Sequence, residues 1–206
     1  MMYNYTKNNR RRRKPKKSLV SKVIRKIENR AERKFASILE TTNTVTNAPS
    51  VPLAHLTGIA VGDTASTRDG NEIRVKSINL RYLVEANAAA VNSHVRVVLV
   101  RMKQTIADTA PDWNDIFEED SVVSQKDHRL AQRFTILYDR THSLSGSKGP
   151  TCFSYKWYKS CDLKVKFNDG TSSDYEAGQI FLFACGSEAT NQPAMIFTTR
   201  MSYVDL

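Results

Sequence analysis

The sequence is poor in cysteine and in long apolar runs, and each shortage excludes a class of protein. Its three cysteines, Cys152, Cys161 and Cys185, are an odd number at unpatterned spacing behind no apolar signal segment, which argues against a disulfide scaffold. We expect them to be reduced and intracellular, packed as small apolar residues in strands. The longest apolar run, residues 180–185, falls far short of the roughly 20 residues that a membrane-spanning helix needs.

Catalytic motifs are missing as well. The four histidines, His55, His94, His128 and His142, stand alone, without the His-Glu-x-x-His or Cys-x-x-Cys spacing of metal sites. A nucleophile elbow, a phosphate-binding loop and a dinucleotide fingerprint are also absent. Because an enzyme needs such converging groups, the sequence predicts a protein that is not an enzyme and requires no cofactor.

Acidic residues are scarce in the first part of the chain, and this divides the molecule. Residues 1–34 hold 14 Lys/Arg and 2 Asp/Glu, a net +12, whereas residues 35–206 hold 17 and 19, a net −2, together giving +10. A cation block of this density cannot bury apolar surface, so residues 1–17 are predicted to stay disordered until a polyanion neutralises them. Nucleic acid is the expected partner, through phosphate contacts that release counterions. A membrane is not expected, since the arm lacks lipidation signals and bulky anchors.

An amphipathic helix is predicted over residues 20–35, because apolar residues recur there at i, i+3, i+4 and i+7. Its basic face either is solvated while the apolar stripe enters a partner's groove, or meets phosphates while the stripe packs on other copies or on the body. We favour the second alternative, because the helix continues out of an arginine run. The candidate nucleic-acid-binding residues are the basic side chains of this run and helix: Arg10, Arg11, Arg12, Arg13, Lys14, Lys16, Lys17, Lys22, Arg25, Lys26, Arg30, Arg33 and Lys34.

The rest of the chain predicts strands. Residues 1–35 are interpreted as the arm, 36–50 as a linker rich in Thr, Asn, Pro and Ser, and 51–206 as one β-rich domain. Strands are predicted at residues 53–61, 72–85 with a bulge near Ser77, 94–102, 133–139, 155–167, 179–185 and 195–204, and a helix at residues 112–120. Strands without a βαβ rhythm, joined by long loops, predict an all-β fold: a single antiparallel eight-stranded jelly-roll sandwich with a basic, partly helical N-terminal arm.

Two groups of body residues leave alternatives open. Four carboxylates flank strand ends and are either oxygen ligands for calcium between subunits or solvated turn acids: Asp63, Asp69, Glu72 and Asp205. Four aromatic residues lie on the apolar phases of their strands, which favours core packing over base stacking: Phe134, Tyr155, Trp157 and Phe181. Outward Lys156, Lys164 and Lys166 either line an interior or form an ordinary solvated face.

Three segments, in this order and spacing behind a basic arm, carry a resemblance. They are Glu32-Arg33-Lys34-Phe35-Ala36, Gly62-Asp63 with Arg68-Asp69-Gly70-Asn71-Glu72-Ile73-Arg74, and Arg133-Phe134-Thr135-Ile136-Leu137. The chain resembles small jelly-roll capsid proteins, above all the coat proteins of satellite tobacco necrosis virus and its relatives among small circular single-stranded DNA viruses. The resemblance implies a T=1 shell of sixty subunits, an inward-pointing arm, and structural calcium between subunits at Asp63, Asp69, Glu72 and Asp205, with Glu32 as a further candidate.

The sequence therefore predicts a viral capsid protein of the virion that self-assembles into a small icosahedral shell and packages a genome of single-stranded DNA or RNA through its arginine-rich arm. The alternative is a monomeric cellular nucleic-acid-binding protein, ribosomal or architectural, with the same basic tail. The run at residues 10–17 also fits a nuclear localisation signal, which would bring the protein to the host nucleus before assembly.

Overall fold

The computed structural model describes residues 32–105, 109–129, 132–146 and 152–206, and these form β-strands with very little helix. A single turn of 3₁₀ helix spans Trp113–Asp115. The eight strands are β1 (Lys34–Thr44), β2 (Ala54–His55), β3 (Glu72–Glu85), β4 (Ser93–Met102), β5 (Phe134–Leu144), β6 (Cys152–Lys166), β7 (Ile180–Gly186) and β8 (Ala194–Asp205).

The strands form two four-stranded sheets with the order of a jelly roll. The first sheet runs β1-β8-β3-β6 and the second β2-β7-β4-β5. Every strand pair is antiparallel, and β1 pairs with β8, β2 with β7, β3 with β6 and β4 with β5. The chain is thus one long hairpin rolled up so that strands far apart in sequence become neighbours. This arrangement confirms the prediction of an all-β antiparallel sandwich.

Alternating apolar residues build the core between the two sheets. Strand β3 turns Ile73, Val75, Ile78 and Leu80 inward, and its register shifts between Val75 and Ser77, which confirms the bulge predicted near Ser77. In β6, residues 155, 157, 161, 163, 165 and 167 are the less exposed positions, while Lys156, Lys164 and Lys166 are exposed. The period of two found in the sequence therefore sets which face of each sheet is buried.

Strand β4 is covered on both faces, as its apolar run predicts. Residues 97–100 are all fully buried. Val97 and Leu99 face the core between the sheets, whereas Val98 and Val100 pack under the connection between β4 and β5, where Trp113 and Phe117 lie. The outer face of the second sheet is therefore closed by the chain's own loop.

Strand β1 overturns the predicted organisation before residue 51. It occupies residues 34–44, so Lys34 and Phe35 are not helical and most of the segment interpreted as a linker is a strand. Residues 32–206 form one compact unit, and the body begins there, not near Val51. Because β-branched residues such as Ile38 and Thr42 suit a strand, β1 can pair with β8 despite its polar composition. Residues 20–31 of the helix predicted over residues 20–35 lie outside the described residues.

Two further elements are shorter than predicted. The strand expected at residues 53–61 contracts to Ala54–His55. The helix expected at residues 112–120 contracts to one 3₁₀ turn, because the chain bends back to form a bridge between Phe117 and Lys126. No helix in the described ranges is long and apolar enough to cross a membrane.

All three cysteines lie in strands and are free thiols. Cys185 is buried and Cys161 is half-buried, which agrees with packing as small apolar residues. Cys152 is exposed at the first residue of β6, so the packing prediction is wrong for this residue.

Candidate metal and nucleic-acid-binding sites

Most of the predicted nucleic-acid-binding residues lie outside the described residues. These are Arg10, Arg11, Arg12, Arg13, Lys14, Lys16, Lys17, Lys22, Arg25, Lys26 and Arg30. The structure places two of the set, Arg33 and Lys34. Arg33 is exposed just before β1, whereas Lys34 is buried as the first residue of that strand.

Lys34 lies in an ion cluster that belongs to the body. Its Nζ lies 2.7 Å from Asp69 Oδ1 and 3.1 Å from Asp205 Oδ2. The hydrogen bond to Asp69 and the charge of Asp205 outweigh the effect of burial and hold the pKa of Lys34 well above its ordinary value. A buried ammonium that already contacts two carboxylates is poorly placed to meet a phosphate. We therefore assign Lys34 to the body, and its contact with nucleic acid stays a prediction.

Three segments of the chain converge on this cluster. The first residue of β1 pairs with Tyr203 of β8, and Asp205 stands opposite Ile73 at the start of β3. The loop before β3 is fastened to both strands, because Phe35 N donates to the Ala65 carbonyl at 3.1 Å and Tyr203 Oη donates to the Thr67 carbonyl at 3.0 Å. The cluster thus joins the beginning, the end and the first long loop of the body.

A fully buried arginine, Arg68, holds the same loop. Its Nε donates to the Ile59 carbonyl at 2.8 Å, its other nitrogens donate to the carbonyls of Gly70 and Asp169, and its guanidinium lies 3.9 Å from the centroid of Phe167. Burial lowers its pKa. These acceptors and the ring face replace lost hydration, so Arg68 fixes the loop that carries Asp69. Sequence reasoning missed this role, and its only signal was an Arg-Asp-Gly turn before a strand.

The four carboxylates assigned to calcium by resemblance do not form a calcium site within the described chain. Asp69 and Asp205 contact Lys34, Glu72 Oε2 lies 2.6 Å from Lys164 Nζ, and Asp63 is exposed. Glu32, the further candidate, is also exposed. Calcium takes six to eight oxygen ligands, and an ammonium between two of the proposed ones repels a second cation. Within one subunit, Lys34 therefore neutralises Asp69 and Asp205, and calcium between subunits stays a prediction.

One other group of metal-type side chains is gathered in the described residues, at Glu118, Asp127 and His128. Its buried member, Asp127, is already satisfied by Arg129, whose Nη2 lies 2.8 Å from Asp127 Oδ2, and this contact lowers the pKa of Asp127. The adjacent acids Glu119 and Asp120 are exposed, as Glu118 is. We assign this group a structural role in the loop.

The aromatic residues weighed for base stacking belong to the core. Phe134 and Phe181 are buried, while Tyr155 and Trp157 are half-buried. The ring of Tyr155 stacks on that of Tyr138, and the ring of Trp157 is tilted against it. This confirms core packing over base stacking for these four side chains.

Two histidines are built into the same interior. His142 Nε2 lies 2.7 Å from Tyr82 Oη, and His55 Nε2 lies 2.9 Å from Gln179 Oε1 with its ring stacked on Phe181. Burial lowers the pKa of both imidazoles. Both rings are thus neutral, hydrogen-bonded components of the packing at neutral pH.

Comparison with known proteins identifies the family. The family model described as satellite tobacco necrosis virus coat protein matches residues 5–206. The coat protein of Satellite tobacco necrosis virus 2 is 27% identical over 196 residues, covering 93% of this chain and 95% of that protein. Chains of Broad Bean Stain Virus and Mud Crab Dicistrovirus share 11% and 14% identity at TM-scores of 0.29 and 0.31. They cover 82% and 83% of this chain, which in turn spans 84% and 68% of theirs. TM-scores this low add nothing to the assignment, which follows from the match along the sequence: the chain belongs to the satellite tobacco necrosis virus coat protein family.

Proposed function

We propose that this viral coat protein assembles into a small icosahedral shell of sixty copies and packages the genome through its basic arm. The observation that carries the proposal is the division of charge along the chain. With Lys34 assigned to the body, residues 1–33 hold 13 Lys/Arg and 2 Asp/Glu, a net +11, and residues 34–206 hold 18 and 19, a net −1. The cations that can neutralise phosphates are therefore concentrated in one short segment.

The size of this charge suits packaging. Sixty arms at +11 each would offset roughly 660 phosphates, a substantial share of a small genome, and would do so without reading its sequence. Nuclease digestion of the packaged nucleic acid would distinguish RNA from single-stranded DNA.

Deletion of residues 2–17 tests the role of the arm, because it removes eight Lys/Arg and no acid. We expect shells that sediment as intact particles at physiological salt but lose most of their 260 nm absorbance relative to 280 nm. Deletion of residues 2–6 is the matched control, since it removes no charged residue. Particles of the longer deletion that carry a normal amount of nucleic acid would contradict the proposed role of the arm.

The alternative of a monomeric cellular nucleic-acid-binding protein makes a different prediction for the intact chain. Sedimentation of the full-length protein should show particles of megadalton size if the capsid proposal holds, and only a 23.3 kDa species if the alternative holds. Membership of a coat protein family favours the first outcome.

The same arm is proposed to direct nuclear entry before assembly, because a compact Lys/Arg run has the composition of a nuclear localisation signal. Fusion of residues 1–17 to a fluorescent reporter tests this property separately from packaging. A reporter that stays in the cytoplasm would remove the nuclear step and leave the packaging proposal intact.

A further inference from the structure

The solvent-facing side of the first sheet, β1-β8-β3-β6, contains a polar groove. The groove has a volume of about 340 Å³ and crosses β1, β8 and β3. Its polar lining consists of Ser37, Asn79, Arg81, Thr198, Thr199 and Arg200. Arg81 and Arg200 are exposed, in contrast to the outer face of the second sheet, which the loop around Trp113 closes.

Positive charge is concentrated at this groove, and no carboxylate of the described residues pairs with it. Arg81 faces Lys156 across the β3–β6 pair, and Arg200 occupies the adjoining strand opposite Asn79. None of the three basic residues forms an ion pair with a described residue, and the one side-chain hydrogen bond of Arg200 within the described residues goes to Ser37 Oγ, at 3.4 Å. Like charges directly opposite each other destabilise a sheet unless an anion lies between them.

At the other end of the same face, lysine residues form ion pairs with carboxylates. There Lys76 Nζ lies 2.8 Å from Asp162 Oδ1, and Lys164 Nζ lies 2.6 Å from Glu72 Oε2. The same sheet therefore pairs basic residues at one end, whereas the three cations in the middle meet no carboxylate of the described residues. This contrast points to an anionic ligand that the described residues do not supply.

Two further side chains narrow the class of anion. Asn79 lines the groove, and its Oδ1 is buried without a hydrogen-bond partner among the described residues. Tyr158 stands opposite Asn79 on β6 and is 59% exposed, although it is a large aromatic residue. Cations beside an exposed aromatic ring and an amide are the combination that binds single-stranded nucleic acid, through phosphate contacts and base stacking.

We propose that this groove is a second nucleic-acid-binding site, in which Arg81, Arg200 and Lys156 contact the phosphates of a single strand and Tyr158 stacks a base. The inference rests on the proposed function, namely that the coat protein encloses nucleic acid, and adds a contact in the folded body that is independent of the arm. The competing occupant is an acidic surface of a second copy, such as residues 118–120.

The test uses full-length protein with the double substitution Arg81→Gln and Arg200→Gln. Binding of a fluorescent single-stranded oligonucleotide is measured across a salt series. Loss of two phosphate contacts should flatten the slope of log affinity against log salt by about 1.4. Tyr158→Ala should weaken binding at least fivefold with an unchanged slope, because stacking carries no charge.

Two controls separate the possible outcomes. The matched double substitution Lys103→Gln and Lys166→Gln removes the same charge from exposed residues that line a different pocket, and should change the slope by less than half as much. An equal decrease of the salt slope in both variants would overturn the groove, because the phosphate contacts would then be spread over the surface of the body. Normal oligonucleotide binding by the Arg81→Gln and Arg200→Gln variant would also overturn the groove. If that variant bound normally but failed to form particles, this face of the sheet would be a contact between copies.

A parallel variant with Arg10, Arg11, Arg12 and Arg13 replaced by Gln distinguishes this inference from the proposed function. Loss of binding in that variant alone would support the arm and reject the groove. Loss in the groove variant alone would support the groove and reject the arm as the packaging element. Loss in both would support two separate contacts. Each variant should melt within about 2 °C of the wild type, since exposed substitutions of this kind change stability little.

Discussion

Substitution of Lys34 by methionine is the most direct test of the ion cluster at the start of β1. Methionine keeps the unbranched apolar stem of the side chain and removes the ammonium group, with its charge and its hydrogen-bond donors. The Lys34 side chain is 6% exposed, whereas Asp205 is 19% and Asp69 57% exposed. The variant would therefore leave one largely buried and one solvated carboxylate without their cation.

The expected cost follows from these exposures. Removal of one partner from a fully buried ion pair costs about 3–5 kcal/mol, and an exposed pair contributes between about 0 and 1 kcal/mol. The contact with Asp205 resembles a buried ion pair, and the contact with Asp69 resembles an exposed one. Partial solvation of both carboxylates lowers the total, so we expect a loss of about 2 kcal/mol. In a domain of this size that loss lowers the melting temperature by roughly 4–8 °C.

Thermal unfolding of unassembled full-length subunits measures this loss. Arg33→Gln is the matched control, because it removes one positive charge from the adjacent exposed residue and should shift the melting temperature by less than about 1 °C. Oligonucleotide binding should weaken no more in Lys34→Met than in Arg33→Gln. Normal stability combined with a greater loss of binding would show that Lys34 contacts nucleic acid and that its assignment to the body is wrong.

The same assay tests whether a single subunit binds calcium at the ion cluster, apart from any calcium held between subunits. Exchange of a chelator for millimolar calcium should leave the wild-type melting temperature unchanged, because Lys34 already neutralises Asp69 and Asp205. A calcium site loaded at 100 times its dissociation constant would add about 2.7 kcal/mol. A rise in melting temperature that corresponds to this free energy would show that calcium binds at this position and would contradict the role of Lys34 as the counter-ion.

A fall in pH from 7.5 to 5 should lower the melting temperature, because burial lowers the pKa of His55 and His142 below the ordinary 6.5. The unfolded chain then takes up protons that the folded chain does not, so stability declines as pH falls through 6.5. Replacement of both histidines by Gln should remove most of this slope, and an unchanged slope would assign it to other groups. Trp113→Ala should cost about 3–5 kcal/mol, since its fully buried ring lies 4.3 Å from Phe117 over the second sheet. A loss under about 1 kcal/mol in chemical denaturation would show that the loop does not close that face.

The strands that the sequence predicts well are those with a clear period of two. Strand β3 has the predicted bounds, and the bulge at Ser77 follows from a change in the phase of its apolar residues. Strand β1 escaped prediction because its threonines and asparagines read as a linker. Its stabilising partner, β8, lies at the other end of the chain, where Tyr203 pairs with Lys34. Pairing between the two ends of a chain leaves no local pattern in the sequence.

Only the carboxylates of the ion cluster could be predicted from the sequence, because its lysine is placed by the pairing of β1 with β8. Asp69 and Asp205 were identified correctly as carboxylates at strand ends, and both contact the same ammonium. The cation of the cluster could not be identified from the sequence. Lys34 is the last of 14 basic residues in the first 34 positions, and nothing in its local sequence distinguishes it from the others. Only the start of β1 separates it from the arm, and that boundary depends on tertiary pairing.

The groove on the first sheet shows why net charge alone understates the binding capacity of the body. Residues 35–206 sum to −2, which suggests no affinity for a polyanion. Much of the acidity lies in the exposed loop at residues 118–120 or is already paired, as Asp162 is with Lys76. Arg81 and Arg200 lie far apart in sequence and each reads as a single outward basic residue, yet the strand order places them on adjacent strands. Because exposed charges more than about 10 Å apart are largely screened at physiological salt, a phosphate responds to this local group of cations and not to the net charge of the domain.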